Sequence, residues 1–229
     1  MKTKVSFLAA ILLGLGCTIG NAQGFINLDF ESARVVSANP PDLTFIDASR
    51  AFPGWTVYGG TPDSPTSVVF SSVFYNNLSL GGAMVSLQDT NAVNGIPLPL
   101  QGNYSVLLEG SIPQAQSTAS IGQVGTIPVM AQTLTFWGDV YGSLQVSFGG
   151  QLLNYLLVGS TPNYNIYSAD ISAFSGQTGQ LLFTAQTQTY ALLDNIQFSN
   201  IPVPEPGTWS LLALGVTLIG FSRLTRRKL

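Results

Sequence analysis

Between residues 23 and 200, short apolar stretches alternate with clusters of glycine, serine, threonine, asparagine and proline, and within the stretches apolar side chains recur at every second position. That period belongs to a strand with one covered face rather than to a helix. It is clearest at 133–140, where Leu134, Phe136 and Val140 point one way and Thr133, Thr135 and Asp139 the other. Leu144, Val146 and Phe148 repeat it against Gln145 and Ser147, and the intervening Tyr141-Gly142 corner predicts a tight hairpin. Further strands are expected at 25–31, 55–58, 67–75, 83–88, 104–109, 119–124, 152–158, 164–170, 180–186 and 191–199, with long loops at 40–65 and 91–102. Gly149-Gly150, Thr161-Pro162-Asn163 and the Ser175–Gly179 segment punctuate them. Many short strands at this spacing predict an all-β chain, an antiparallel β-sandwich of the jelly-roll kind. No exact repeat is visible, which argues against a solenoid or propeller.

Two terminal segments break the pattern. Residues 1–22 carry Lys2 and Lys4, an apolar stretch from Val5 to Gly16 and the small-x-small site Gly20-Asn21-Ala22, the order of a signal-peptide helix with the mature chain starting at Gln23. Cys17 raises the alternative of a lipoprotein, but Gly14 stands where a lipobox wants an aliphatic side chain. At the other end, Val203-Pro204-Glu205-Pro206-Gly207 suits neither helix nor central strand, since two prolines remove backbone donors and hold their neighbours extended. Fifteen uncharged residues follow, 208–222, and then Arg223, Arg226, Arg227 and Lys228. As a helix the run covers roughly 22 Å, short of a hydrocarbon core of about 30 Å, so Gly207, Trp209 and the snorkelling arginines complete one transmembrane helix. A buried core helix would not be bracketed by Pro-Glu-Pro and four cations. Those cations hold their end cytoplasmic, which puts the bulk of the chain across the membrane. The expected organisation is a signal peptide at 1–22, an ectodomain at 23–200 and a tail at 201–229.

The succession of Pro204, Glu205 and Pro206, the apolar run 208–222 and the basic end closely resembles the PEP-CTERM sorting signal. The resemblance covers about an eighth of the chain and rests on three ordered features. It implies an exosortase, a transpeptidase-like membrane enzyme of Gram-negative bacteria that make exopolysaccharide, as the partner that recognises the tail and cuts near the Pro-Glu-Pro. It also implies a membrane-anchored intermediate in the inner membrane, then residence on the cell surface or outside the cell. Glu205 enters as a recognition residue.

Charge sharpens the picture of the ectodomain. Of eight Lys and Arg, only Arg34 and Arg50 lie between the two ends, against ten carboxylates from Asp29 to Asp194, which leaves −8. A chain so poor in cations does not neutralise phosphates, and nucleic acid is not an expected partner. With Cys17 removed, the mature chain holds neither cysteine nor histidine, so thiol nucleophiles, disulfides, histidine-based triads and the usual zinc sites fall away together.

A second resemblance rests on the framing segments. Phe25-Ile26-Asn27-Leu28-Asp29-Phe30-Glu31 with Phe52-Pro53-Gly54-Trp55, and the closing Leu193-Asp194-Asn195-Ile196-Gln197-Phe198, are similar to the first and last strands of galactose-binding-like jelly rolls, the fold of many carbohydrate-binding modules. It implies that these end strands pair and that acidic groups beside them hold a structural calcium. The residues give the calcium idea a footing of their own. Asp194 shares strand parity with Ile196 and Phe198, a carboxylate turned to the core needs compensation, and Asp29 and Glu31 share one face of the first strand. The alternative is that Asp194 ends a strand and is bonded to backbone amides or to water.

Trp55, Tyr58, Trp137, Tyr141, Tyr155, Tyr164 and Tyr167 either form a sugar platform or fill the core. Trp55 reads as a plug for one end of the sandwich, whereas Trp137 has outward parity, which makes Trp137 and Tyr141 the ligand-binding candidates. For catalysis, Asp89, Glu109, Asp139 and Asp170 are available as a carboxylate pair for glycoside hydrolysis, but no spacing singles out two of them and each sits where a turn former would. The expectation is a non-catalytic exported surface or matrix protein that binds exopolysaccharide. The alternatives are a glycan hydrolase and a purely structural surface protein.

Overall fold

The computed structural model describes residues 24–40, 42–92 and 97–203. The expected signal peptide 1–22, the Pro204, Glu205 and Pro206 triplet, the apolar run 208–222 and the cations Arg223, Arg226, Arg227 and Lys228 lie outside the described residues. Within them the chain is all-β: β1 (Ser37–Asn39), β2 (Asp42–Asp47), a single turn of helix α1 (Ala48–Ala51), β3 (Thr56–Thr61), β4 (Ser64–Val69), β5 (Ser72–Tyr75), β6 (Met84–Asp89), β7 (Tyr104–Glu109), β8 (Thr118–Thr126), β9 (Thr133–Tyr141), β10 (Leu144–Phe148), β11 (Gln151–Leu152), β12 (Tyr155–Ser160), β13 (Asn165–Asp170), β14 (Thr178–Ala185) and β15 (Tyr190–Ser199). No helix among the described residues is long and apolar enough to cross a membrane.

The strands form two sheets. One has nine strands in the order β1-β2-β5-β6-β7-β15-β9-β13-β12, the other six in the order β11-β10-β14-β8-β3-β4. From β7 to β10 the chain alternates between the sheets at every strand, and again from β13 to β15, so the last strand enters the larger sheet between β7 and β9. The core lies between the sheets. Leu134 and Phe136 of β9, Val85 and Leu87 of β6, and Val106 and Leu108 of β7 face Val57, Ile121, Val146, Phe148 and Phe183 of the smaller sheet. Phe136 meets Phe183 edge-on across the interface at 5.4 Å. Period-two alternation at 133–140 and 144–148 therefore becomes a buried inner row, as the sequence predicts.

Three expectations change. The segment 25–31 is a series of turns and not a strand, with only Gly24 bridged to Thr126. Its contact with the last strand is still made, through Ile196 N–H donating to Leu28 O and the stacked rings of Phe25 and Phe198, because Asn27 and Phe30 take positive φ and curl the chain over the sheet end. The stretch 40–65, expected as a loop apart from a strand at 55–58, contains β2 and α1 as well as β3, which runs on to Thr61. Asp47 caps α1 by accepting from Arg50 N at 3.0 Å, so a residue typical of loops starts a helix here. The expected strand 67–75 is two strands, β4 and β5, in different sheets, and β5 pairs with β6 in parallel, so the arrangement is not wholly antiparallel.

A fourth difference decides where the chemistry lies. In β15, Asn195 has φ 46° and two residues stand opposite Phe136, a bulge between Asp194 and Gln197. Parity shifts there. Leu193 and Ile196 both enter the core while Asp194, paired with Trp137, faces the outer surface of the nine-stranded sheet. The sequence parity argument, which put Asp194 on the core side with Ile196, fails because one extra residue separates them.

Candidate functional site

The outer face of the larger sheet is assembled row by row from directly opposed residues. One row runs Met84, Glu109, Tyr190, Tyr141 across β6, β7, β15 and β9. The next runs Ser86, Leu107, Leu192, Asp139, and the third joins the pair Gln88, Ser105 to Asp194, Trp137, Ile166 through the hydrogen bond from Ser105 Oγ to Asp194 Oδ2. On the β6–β7 side this face is roofed. Asn77 N–H donates to Ser86 Oγ, Gln88 Nε2 donates to Asn77 O, Leu100 N–H donates to Ser105 Oγ and Gln101 N–H donates to Asp194 Oδ2. Segments 76–82 and 97–103 are thereby fastened over the sheet, and Ser86, Gln88, Ser105, Leu107 and Leu192 are buried although they face away from the core. Gln88 Oε1 is a buried acceptor left without a partner beneath this roof.

On the β15–β9 side the face is open. Trp137 and Tyr164 stack in parallel with centroids 4.2 Å apart and planes 12° apart, which forms a flat shelf. Tyr141 is 78% exposed, Asp139 is exposed between it and Trp137, and Tyr190 lies opposite Tyr141. Burial raises the Tyr190 hydroxyl well above its ordinary value, and the negative charges of Asp139 and Glu109 raise it further. The structure thus places one carboxylate on either side of this phenol. Burial also raises Glu109, against the pull of the Ser79 N–H that it accepts. Beside it opens a concavity of about 340 Å³ lined by Glu109, Tyr190, Ser79, Ser111, Ile112 and Gln188. That is the lower end of the roughly 300–1,000 Å³ of small-ligand pockets, room for one ring-sized group.

Of the two ligand-binding candidates, Trp137 and Tyr141 do share this outer face, four residues apart on β9. Trp55 is the expected plug: buried, packed on Phe30 and Phe183, its Nε1–H donating to Asn27 O at 2.9 Å. Tyr155 and Tyr167 pack against Phe136 at the core margin. Among the carboxylates weighed for catalysis, Asp89 and Asp170 are occupied structurally. Asp170 accepts from Ser172 N–H at 2.8 Å, which lowers its pKa. Burial works to raise Asp89, but hydrogen bonds from Tyr75, Asn76 and Asn91 outweigh it and hold the carboxyl below its ordinary value. Glu109 on β7 and Asp139 on β9 are the two that flank Tyr190. Tyr190 was not among the candidates, and its signal in the sequence is its parity with Leu192 and Asp194.

In the calcium trio, both oxygens of Asp194, both of Glu31 and one of Asp29 accept hydrogen bonds from the protein. Asp194 Oδ1 accepts from Asn195 N–H at 2.6 Å, and Oδ2 from Ser105 Oγ at 2.8 Å and Gln101 N–H at 3.2 Å. Glu31 accepts from the Asn103 backbone and side chain at 2.8 and 2.9 Å and from Tyr104 N–H at 3.1 Å, and Asp29 Oδ1 from Glu31 N–H at 3.3 Å. Gly102 admits this clamp, since its φ is +62° and a Cβ there would stand 2.2 Å from Glu31 Oε1. Protein N–H and O–H groups thus point at five of the trio's six oxygens, and no group of three or more acidic residues among those described clusters as a metal site.

Comparison with known proteins adds the following. Residues 202–228 match the PEP-CTERM protein-sorting motif, so the chain carries that signal. A search of curated proteins finds no match. Among solved structures the chain is similar to an apo-form cyclase from Fischerella sp., at 13% identity and a TM-score of 0.40, over 77% of this chain and 94% of that one. It is also similar to the enzymatically active domain of tailspike protein 4 of bacteriophage CBA120, at 14% identity and a TM-score of 0.36, over 64% of this chain and 19% of that one. A third likeness is to TmCBM61 in complex with beta-1,4-galactotriose, at 13% identity and a TM-score of 0.34, over 77% of this chain and 97% of that one.

Proposed function

We propose that the protein is an exported, exosortase-sorted component of the cell surface or extracellular matrix whose nine-stranded sheet binds exopolysaccharide on its open outer face. The sorting motif at 202–228 supports the delivery route: export on the signal peptide, anchorage through 208–222, and release or surface transfer after cutting near Pro204–Pro206. The ectodomain is a jelly roll in this reading, with β7-β15-β9-β13 facing β8-β14-β10-β11 as its two four-stranded halves.

The observation that carries glycan binding is the Trp137–Tyr164 shelf with Tyr141 and Tyr190 on the same face, flanked by Glu109 and Asp139. Aromatic faces take the apolar side of a sugar ring, and carboxylates accept its hydroxyls; a half-buried stack at a sheet surface with acceptors beside it supplies both. In affinity electrophoresis through gels holding the producer's exopolysaccharide, the wild-type chain is retarded. Trp137→Ala and Tyr141→Ala each weaken binding about tenfold, about 1.4 kcal/mol. Variants that migrate like wild type would remove this face as the binding site.

A second reading, glycoside hydrolysis, draws on one specific observation: Glu109 and Asp139 flank Tyr190 from the two neighbouring strands, and Glu109 is raised as a general acid must be. Reducing ends released from the polysaccharide by wild type and not by Glu109→Gln would put this reading in place of the first.

A further inference from the structure

The charge of the proposed face deepens that reading by naming the class of polysaccharide. Between residues 23 and 200 the only cations are Arg34 and Arg50. Neither lies on the rows of the proposed face: Arg34 N–H donates to Arg50 O, and Arg50 lies in α1, beside the β2 end of the larger sheet. No guanidinium or ammonium group therefore stands on the rows that carry Tyr141, Tyr190 and Trp137, whereas Glu109 and Asp139 do. A uronate or sulfated sugar placed there would have its charge desolvated against two carboxylates with no cation to answer it, and like charges brought together in a partly buried site cost far more than on an open surface.

Geometry points the same way. Glu109 and Tyr141 stand at the two ends of a row separated by β15, so they are about 10 Å apart at ordinary strand spacing, and Trp137 is about 13 Å along β9 from Tyr141. The patch is long enough for about two sugar units. Its polar groups are hydroxyl acceptors at Glu109 and Asp139, with a donor-acceptor at Tyr190; Glu109 accepts from Ser79 N–H and lines the 340 Å³ concavity. Such a set satisfies the O–H donors of an uncharged sugar and leaves a carboxylated one unpaired.

We infer that the outer face selects neutral, hydroxyl-rich polysaccharide and rejects polyanionic chains, with Glu109 and Asp139 as the residues that impose the choice. This rests on the glycan-binding reading above. The test is affinity electrophoresis of the protein recovered from the surface of producing cells, with its mass measured to show that the basic ends, which would themselves bind a polyanion, are gone, through gels containing either a neutral galactan or glucan, or polygalacturonate. Chelator is present throughout so that no divalent ion bridges protein and polymer carboxylates. Wild type is expected to be retarded by a neutral polymer, equally at low and high salt, and to pass polygalacturonate unretarded. Glu109→Gln and Asp139→Asn each weaken neutral binding about fivefold to tenfold, with thermal unfolding monitored to show that the fold is kept; Asp139 is exposed, so its variant is the control for folding. Retardation by polygalacturonate comparable to or stronger than that by the neutral polymers overturns the charge selection while leaving glycan binding standing. Passage through every polymer overturns both. Full neutral binding by the double variant Glu109→Gln, Asp139→Asn removes these carboxylates from the choice.

Discussion

Raising the pH from 4.5 to 8 is expected to lower the unfolding free energy by about 3 kcal/mol, and Asp194→Asn to remove most of that loss. Asp194 is 1% exposed, and burial pushes its carboxyl up to about 7 despite hydrogen bonds from Ser105, Asn195 and Gln101; the charge of Glu31 adds to the rise. In the unfolded chain the same group titrates near its ordinary value of 3.8. Between those values the folded state holds a proton that the unfolded state has released, so stability is fully present below pH 4 and drains away as pH climbs to 7. Glu109, also raised by burial, contributes with the same sign. Asp42, Asp47, Asp89 and Asp170 are lowered and act oppositely, but only below the ordinary carboxylate range. Urea titrations at pH 4.5, 6 and 8 measure the slope. A wild-type stability that rises across this window, or an Asp194→Asn slope as steep as wild type, would show that Asp194 is not the group responsible. The same experiments bear on calcium. Because both oxygens of Glu31 and of Asp194, and one of Asp29, are met by protein donors, melting curves in excess calcium and in chelator are expected to superimpose, and a rise in Tm with calcium would support the metal site.

Phe136→Ala is expected to cost about 3–5 kcal/mol and to lower Tm by roughly 10 °C. Phe136 has no exposed surface and its ring meets Phe183 of the opposite sheet edge-on, Tyr155 edge-on and Tyr167 in a stack, all within 5.4 Å. Truncation leaves a hole that belongs to both sheets, which neither can fill without sliding over the other. Phe45 provides the contrast. It is 41% exposed and touches mainly Phe74 at 4.4 Å, so Phe45→Ala should cost about 1 kcal/mol. Thermal melts of the two variants side by side decide the matter; equal losses would mean that the interface between the sheets is not where the stability resides.

The sequence made the middle of the sandwich legible and its margins much less so. Strands β9 and β10 follow from period-two alternation because one face is buried and the other is wet, and the aromatic plug at Trp55 follows from Pro53-Gly54 ahead of it. The rule fails where both faces of a strand are covered. β6 is buried at every position, Ser86 and Gln88 included, because segment 76–82 roofs its outer side, and a polar residue under a roof looks in sequence like one in water. It fails again where a single residue changes the count: Asn195 with positive φ moves Asp194 to the face opposite Ile196, and nothing in the local composition announces a bulge. The candidate site was half visible. Trp137 and Tyr141 were readable as outward residues on one strand, but Glu109 and Tyr190 reach them only through pairing of β7, β15 and β9, strands some thirty to eighty residues apart in the chain. Glu109 before Gly110 reads as a turn former until the last strand is placed beside it.

Beneath these points lies the view of the β-sandwich as an exported cargo, trimmed at both ends on its way to the surface. The measurement that tests it most directly is intact-mass analysis of the protein recovered from fractionated producing cells, with and without a functional exosortase. The account predicts a chain that begins near Gln23 and has lost Arg223, Arg226, Arg227 and Lys228, found in the envelope or the medium, and a membrane-held form retaining the basic end when the exosortase is absent. A polypeptide running uncut from Met1 to Leu229 in the cytosol would contradict it.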